Sequence, residues 1–376
     1  MTNFSRRQFL KQLGALAAVC LTARAGRPSF ELPEADRPFD FLVVGDSLIW
    51  GQGLEEKDKF YTLTKNWLEN EFFAGRRRVE LKMKAHSGAT IFLHDDEAAA
   101  LKKTGRTENT FFDPEVAVGF PSIKAQLDNA KAEYESPENV DLILLTGGIT
   151  DLAVANILNI FGSEKEFRAL VPKYCDEDLS RLLDYAAAAF PNALLAVVGY
   201  YPMISKKSST HAVFNAILEI YGFSGPVKPL MNNPLTLPVL KMMRKQVIKR
   251  SDFWADESAA GFRNAVARVN AKAGRRRALF IESPVTADNC FGTKNSLLWG
   301  MGKKGRGEDP LYDARRAACG RDFAELAKNK EVGYSVRACE LAGIGHPNVA
   351  GSKAYAEAIE NALAPVLESP RRAAAK

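Results

Sequence analysis

The sequence predicts a single α/β domain of three layers (α/β/α), in which helices cover both faces of a five-stranded parallel sheet. Five short apolar runs are typical of buried strands, at 41–44, 79–85, 142–145, 194–198 and 278–281. Helical patterns lie between these runs, and strands that alternate with helices are joined by right-handed crossovers into a parallel sheet. Ligands of such sheets bind beyond the carboxyl ends of the strands, so the residues that follow each run are the first candidates for chemistry.

The segments between the strands are predicted helices with two longer insertions. Large apolar side chains between residues 60 and 68 fall on one helical face, and 179–190 and 259–271 are amphipathic as well. The segments 94–114 and 203–250 are long, mixed and rich in Pro, Gly, Ser or Lys. We interpret both as inserted loops or small helical caps over the strand ends, and we expect 203–250 to border the substrate cleft.

The N-terminus has the layout of a twin-arginine export signal. Arg6 and Arg7 precede an uncharged apolar stretch at 13–22, and a small-x-small sequence ends at Ala25. The apolar stretch is shorter than the ~20 residues that a membrane span needs, so no stable membrane span is expected. We predict that residues 1–25 are a signal peptide and that 26–376 form the exported domain, periplasmic or secreted. The alternative is a short N-terminal helix or anchor.

The basic charge of the chain belongs largely to this signal. The whole sequence has a net charge of +6, and residues 1–25 contain four basic and no acidic residues, which leaves +2 after cleavage. Two arginine runs remain, at 76–78 and 275–277, each just before a predicted strand. A solvated edge on the face opposite the site is the favoured interpretation over a patch for nucleic acid or anionic lipid, so no nucleic-acid partner is expected.

Four cysteines remain in the predicted exported domain, Cys175, Cys290, Cys319 and Cys339. An even number in an exported protein predicts one or two disulfides, with three possible pairings. The chain has no Cys-x-x-Cys sequence and its four histidines are scattered, so the spacing typical of metal ligands is absent. Neither a metal nor another cofactor is expected.

The first candidate for chemistry is Ser47, in the sequence Gly45-Asp46-Ser47-Leu48 directly after the first strand. A serine at a strand-to-helix turn presents its hydroxyl at the carboxyl edge of the sheet, and its own amide can help to hold an oxyanion. Asp-Ser after a strand is also an ordinary helix cap, which is the alternative interpretation.

These residues resemble the signature of the GDSL, or SGNH, hydrolase superfamily. The resemblance implies a flavodoxin-like strand order and hydrolysis of carboxylic esters, with Ser47 as the nucleophile, Asp46 in support and no cofactor. It also implies a small-molecule, lipid or glycan ester as the substrate.

Two further blocks fit the resemblance at the next strand ends. Gly88, in the sequence 86–90, stands where the family has a glycine whose amide donates to the oxyanion. In 146–151, Gly148 and Asp151 match supporting positions, but Thr150 replaces the family's oxyanion-hole asparagine. A threonine hydroxyl donates one hydrogen bond, and loss of a donor of this kind costs roughly 3 to 4 kcal/mol where it has been measured.

The last block supplies the general base. His346, in the sequence 345–351, precedes an apolar-periodic helix, as the family's catalytic histidine does. The aspartate that the family places three residues earlier falls on Gly343, which has no side chain. Three alternatives stay open: a backbone carbonyl near Ala342 or Gly343 accepts the histidine proton, Glu340 or another acid does so, or the pair works as a Ser-His dyad.

Two rival functions stay open for the same fold. One is an acyltransferase or deacetylase of envelope polysaccharide, because an acyl-enzyme can also be resolved by a sugar hydroxyl. The other is a non-catalytic carbohydrate- or lipid-binding protein, which the replacements at Thr150 and Gly343 favour.

A glycine pattern at 300–305 satisfies Gly-x-Gly-x-x-Gly. A dinucleotide site requires a strand before this pattern and a helix after it, and the neighbouring sequence predicts neither. We interpret the segment as a mobile basic loop.

Overall fold

The computed structural model describes residues 37–159, 161–220, 237–323, 326 and 335–368. The predicted signal peptide at 1–25 lies outside these ranges. The described residues form one parallel sheet whose strand order is β2-β1-β3-β4-β5, the flavodoxin-like order that the family resemblance implied. All five predicted strands are confirmed: β1 (Phe39–Val44), β2 (Val79–Met83), β3 (Val140–Leu145), β4 (Leu194–Val198) and β5 (Ala278–Ile281).

Helices connect the strands and include the three that the apolar patterns predict. Across the described ranges, no helix combines the length and the apolar character needed to cross a bilayer. The α-helices are α1 (Ser47–Trp50), α2 (Phe60–Trp67), α3 (Asp95–Lys103), α4 (Ile123–Glu133), α5 (Ile149–Leu152), α6 (Val154–Leu158), α7 (Glu164–Pro172), α8 (Leu179–Ala189), α9 (Thr210–Ile220), α10 (Leu237–Ala273), α11 (Tyr312–Ala318), α12 (Val336–Glu340) and α13 (Val349–Leu367). Short 3-10 turns lie at Glu56–Asp58, Pro137–Asn139 and Lys303–Gly305, and π-helical turns at Leu68–Phe72, Lys173–Asp178 and Cys319–Phe323.

The sheet is the middle of three layers. Helices α2 and α13 pack together on one face, while α4, α8 and α10 pack on the other. Every residue of β3 and β4 is buried. This is why both strands are near-continuous apolar runs, as expected for parallel strands covered on both sides.

One buried acid in the sheet changes the interpretation of the first arginine run. Asp141 of β3 accepts hydrogen bonds from the guanidinium groups of Arg37 (2.7 Å) and Arg77 (3.1 Å). Arg77 is therefore buried, and so is Arg277, which donates to the carbonyl of Phe190 (3.0 Å). The prediction of a solvated edge is wrong for these two residues. Their guanidinium groups are buried and donate hydrogen bonds to a carboxylate, for Arg77, or to backbone carbonyls, for Arg277.

The first predicted insertion contains α3 and forms a second, smaller apolar cluster with the chain around α11 and α12. Leu101, Val116 and Phe120 pack there against Cys319 and Cys339. These two cysteines form the disulfide of the described chain. Cys175 and Cys290 are buried and unpaired, so one disulfide forms of the one or two that were predicted.

The second predicted insertion, 203–250, carries α9 and the first part of α10. Its residues 221–236 lie outside the described ranges. The glycine pattern at 300–305 forms a loop with a 3-10 turn and an isolated bridge between Met301 and Gly307. No strand-turn-helix unit of the dinucleotide-binding kind is present at this loop.

Candidate active site

Ser47 is placed by a tight turn at the carboxyl end of β1. Gly45 has a φ of 147°, and a Cβ there would come within 2.8 Å of the Ile49 side chain, so the turn requires glycine. Asp46 caps α1 by accepting a hydrogen bond from the Leu48 amide at 2.9 Å. Ser47 is thus the first helical residue, with its hydroxyl at the edge of the sheet.

His346 reaches this hydroxyl from the other end of the chain. Its Nε2 lies 2.7 Å from Ser47 Oγ across 299 residues of sequence. The backbone of the histidine turn pairs with a neighbouring segment, since the Trp299 amide donates to the His346 carbonyl at 2.8 Å. Asn348 then caps α13 by accepting from the Gly351 amide at 3.0 Å. The fold therefore brings the predicted nucleophile and the predicted base into hydrogen-bonding contact.

The environment of His346 keeps its imidazole neutral. The ring is partly open to the cleft, but Nδ1 is buried and, among the described residues, has no acceptor at hydrogen-bonding geometry. Burial, followed by the positive charge of Arg315, lowers the pKa of His346 from about 6.5 to about 4. The carbonyls of Ala342 and Gly343 act in the opposite sense and favour the protonated ring.

Glu340, the other predicted orienter of His346, faces different partners. Its carboxylate accepts a hydrogen bond from Arg337 at 3.0 Å. A second cation, Arg316, lies 3.7 Å from it. Glu340 therefore has other partners than His346, and the acceptor groups that influence the ring are the backbone carbonyls of Ala342 and Gly343.

The three predicted oxyanion donors follow adjacent strands. Ser47, Gly88 and Thr150 come after β1, β2 and β3, which are neighbours in the sheet. Within the described residues, the amides of Ser47 and Gly88 donate to no protein acceptor. A Cβ at Gly88 would lie 2.6 Å from the Val118 amide nitrogen, so glycine is needed at this position. The Thr150 side chain is partly exposed on α5.

The supporting positions Gly148 and Asp151 fix the turn that carries Thr150. Gly148 caps α5 with a φ of 118°, which favours glycine. The Asp151 carboxylate accepts from the Ile91 amide and from His94 Nε2, each at 3.1 Å. The loops after β2 and β3 are thereby joined beside the site.

Two tyrosines that follow β4, Tyr200 and Tyr201, hold the site loops. The Tyr200 hydroxyl donates to the Asp46 carboxylate and accepts from the Ile149 amide at 3.3 Å. Burial raises the pKa of Asp46 to about 6, and the bond from Tyr200 opposes this rise. The Tyr201 hydroxyl donates to the Gly345 carbonyl at 2.8 Å.

An apolar pocket lies beside the histidine turn. Ile344 and Gly345 line one side of it, directly before His346. Helix α6 and the segment from Met203 to the end of α9 supply much of the remaining wall. Described residues of the insertion therefore border a cavity next to His346, and the expectation that 203–250 borders the substrate cleft stays a prediction.

Clusters of three or more His, Cys, Asp or Glu side chains able to hold a metal ion are absent from the described parts of the chain. The site is instead a hydroxyl, an imidazole and free amides around one edge of the sheet. This set of groups suits acyl transfer through a serine nucleophile.

No protein-family model and no curated protein sequence matches the chain. Among solved structures, an extracellular lipase from Streptomyces rimosus is similar, with 14% identity and a TM-score of 0.42 over 86% of this chain and 99% of the lipase. A phospholipase A1 from Streptomyces albidoflavus has 13% identity and a TM-score of 0.39 over 88% and 99%. A family 2 carbohydrate esterase from Corynascus thermopiles has 14% identity and a TM-score of 0.39 over 88% and 69%. Matches this distant identify neither a substrate nor a catalytic residue; the expected fold itself is confirmed by the strand order.

Proposed function

We propose that the chain is an exported serine hydrolase of carboxylic esters from the GDSL, or SGNH, superfamily. The observation that carries this proposal is the 2.7 Å separation between His346 Nε2 and Ser47 Oγ. A neutral imidazole at this distance is able to take the hydroxyl proton as the oxygen attacks.

The reaction then follows the acyl-enzyme route. Ser47 Oγ bonds to the ester carbonyl carbon while its proton passes to His346 Nε2. The amides of Ser47 and Gly88 and the Thr150 hydroxyl donate to the oxyanion that forms on the carbonyl oxygen. His346 returns the proton to the departing alcohol, and a water molecule activated by the same base hydrolyses the acyl-enzyme.

The pocket beside His346 favours an apolar acyl group as the part of the substrate that it binds. Its walls are apolar side chains from α6, α9 and the histidine turn. Ligand pockets are commonly lined by apolar side chains, with a few polar groups that fix orientation. Polysaccharide deacylation, the rival activity, has no comparable polar subsite among the described residues of the pocket.

Export through the predicted signal at 1–25 remains part of the proposal. The Cys319–Cys339 disulfide supports it, because stable disulfides belong mainly to oxidising compartments such as the periplasm or the exterior.

Hydrolysis of p-nitrophenyl butyrate by the purified exported domain tests the proposal. We expect Ser47→Ala to lower kcat/KM by at least about 1000-fold, because no other group replaces the nucleophile. Ser180→Ala is the matched control. The Ser180 hydroxyl lies on α8, outside the candidate site, and accepts an exposed hydrogen bond from Arg268. Ser47→Ala as active as Ser180→Ala would rule out Ser47 as the nucleophile, whereas a wild type without activity would favour the non-catalytic binding protein.

A further inference from the structure

The space that a side chain at Gly343 would need is filled by an ion pair. A Cβ at Gly343 would lie 2.5 Å from Asp309 Oδ2 and 2.9 Å from Arg315 Nη2. Side-chain carbons do not approach other atoms this closely, so the ion pair leaves room only for glycine at 343. The place of the family's aspartate is thus occupied by a carboxylate from another part of the chain.

Arg315 is at the centre of this buried cluster. Its side chain is fully buried and binds Asp309 through two hydrogen bonds, Nη1 to Oδ1 at 2.9 Å and Nη2 to Oδ2 at 2.7 Å. Nη1 also donates to Glu115 Oε2 at 2.9 Å. Buried charges persist only when they are paired and hydrogen-bonded, and bidentate Arg–carboxylate pairs are among the strongest.

Glu115 is surrounded by donors from the nucleophile segment. Its carboxylate accepts from Trp50 Nε1 at 2.7 Å, from Gln52 Nε2 at 3.2 Å and from the Gly53 amide at 3.2 Å. Burial raises the pKa of Glu115, and its hydrogen bonds from Trp50 and Gly53 together with the Arg315 charge oppose this rise. With both carboxyl groups ionised, the two carboxylates and one guanidinium carry a net charge of −1, the same as a single aspartate.

The cluster is tied to both halves of the catalytic pair. Glu115 holds the residues directly after α1, which begins at Ser47. Arg315 Nε donates to the Glu340 carbonyl at 3.1 Å, where α12 ends and the turn towards His346 begins. The cluster therefore fixes the two segments whose separation sets the contact between Ser47 and His346.

The charges around the cluster are few among the described residues. Arg315 is the charged group that acts on His346. The Lys59 ammonium lies 3.1 Å from the centre of the Trp50 ring and forms an ion pair with Glu56 at 3.6 Å. The charge of Glu115 also raises the pKa of Lys59, against the larger effect of burial. Without Asp309, the guanidinium charge next to the base would be only partly offset.

We propose that Asp309 takes the place of the missing aspartate as a positioning residue, which acts on His346 through Arg315 by holding the histidine turn and offsetting the guanidinium charge. The inference rests on the proposed reaction of Ser47 and His346. Asp309 touches no reacting atom; its effect is on the geometry and the basicity of the imidazole.

The substitution Asp309→Asn tests this role, because it keeps the shape of the side chain and removes its charge. We expect kcat on p-nitrophenyl butyrate to fall by about 10- to 100-fold with little change in KM, as for other groups that orient a histidine. The acid limb of the kcat/KM profile should also move to lower pH, because an unbalanced Arg315 disfavours the imidazolium. Asp313→Asn is the control, since that carboxylate is exposed and pairs with Arg306. A purely structural role for Asp309 would leave the acid limb in place.

If Asp309→Asn does not fold, a second experiment moves the carboxylate from position 309 to position 343. Gly343→Asp alone should lose activity, because its side chain meets Asp309. The double variant Gly343→Asp/Asp309→Gly should regain at least tenfold over Asp309→Gly, because a carboxylate is returned to the space next to Arg315. Higher activity of Gly343→Asp alone, or no regain in the double variant, would overturn the inference.

The failure of this inference is distinguishable from failure of the proposed function. If Asp309→Asn matches the wild type in kcat and pH profile while Ser47 still reacts with a fluorophosphonate, the positioning role is wrong and the hydrolase stands. If wild-type Ser47 does not react, both are wrong.

Discussion

At the scale of single residues, the site depends on a histidine that is kept neutral without an aspartate beside it. Burial and Arg315 together lower the pKa of His346 to about 4, and the carbonyls of Ala342 and Gly343 offset only part of this effect. A base with a low pKa is available over a wider acidic range but is intrinsically weaker. If His346 is the base, we expect activity that extends to lower pH at the cost of basic strength.

The first prediction concerns the pH dependence of catalysis. The free enzyme is active when His346 is neutral, and the folded pKa is below the ordinary value, so kcat/KM should fall on the acid side near pH 4 and not near pH 6.5. The same sign applies to stability: the contribution of the neutral buried ring is complete above pH 6.5 and is lost as the pH falls towards 4. Hydrolysis rates of p-nitrophenyl butyrate between pH 3.5 and 8 measure this limb. An acid limb centred at pH 6 to 7 would contradict the electrostatic account.

At the scale of elements, α9 is the helix that gives the pocket its wall. Ile217 lines the pocket, whereas His211 is exposed near the start of the same helix. A substitution at Ile217 therefore changes the size of the pocket, and the same substitution at His211 is the control. Comparison of the two separates an effect of pocket size from a general effect on α9.

We expect Ile217→Trp to shorten the range of acyl chains that the enzyme accepts. The indole would fill part of the pocket, so hydrolysis of p-nitrophenyl octanoate should fall about tenfold or more, since one or two lost methylene contacts are worth this much. Hydrolysis of p-nitrophenyl acetate should stay within about twofold of the wild type, because a short acyl group does not reach the pocket wall. The control His211→Trp should change neither rate. An equal loss for both esters would show that the pocket does not bind the acyl chain.

The disulfide joins the helix that contains Arg315 to the helix whose end Arg315 binds through the Glu340 carbonyl. Cys319 follows α11, which contains Arg315, and Cys339 lies in α12, before the histidine turn. The link spans 20 residues, and closing a loop of this length removes conformational freedom from the unfolded chain.

We expect the double variant Cys319→Ser/Cys339→Ser to lower the free energy of unfolding by about 2 to 4 kcal/mol. Urea denaturation followed by circular dichroism measures this difference. Dithiothreitol should destabilise the wild type and leave the double variant unchanged. A double variant as stable as the oxidised wild type would mean that the link does not constrain this region.

At the scale of the whole molecule, the sheet could be predicted because its strands are uninterrupted apolar runs such as Leu142–Leu145 and Leu194–Val198. Parallel strands that are buried on both faces leave this signal in the sequence. The strand order came from the family resemblance, since apolar runs do not specify their neighbours. Ser47, His346, Gly88 and Asp151 were identified because each follows a strand or precedes a helix in a recognisable block.

The rest of the site depends on contacts that sequence patterns do not encode. Glu115, Asp309 and Arg315 lie far apart in sequence from the blocks that they support, and each alone is an ordinary charged residue. The glycine at 343 was the one visible signal, because it showed that the family's aspartate is missing, although it did not specify what replaces it. The prediction that both arginine runs are solvated was wrong for the same reason. Arg77 and Arg277 are buried because their acceptors, Asp141 and the Phe190 carbonyl, lie far away in the sequence.

The reaction of Ser47 with a fluorophosphonate probe tests the central claim most directly. Mass spectrometry of the labelled exported domain should find one probe per chain, attached to Ser47, and labelling of His346→Ala should be at least about 100-fold slower because the base is gone. Absence of the probe from Ser47, or equal labelling rates with and without His346, would contradict the account.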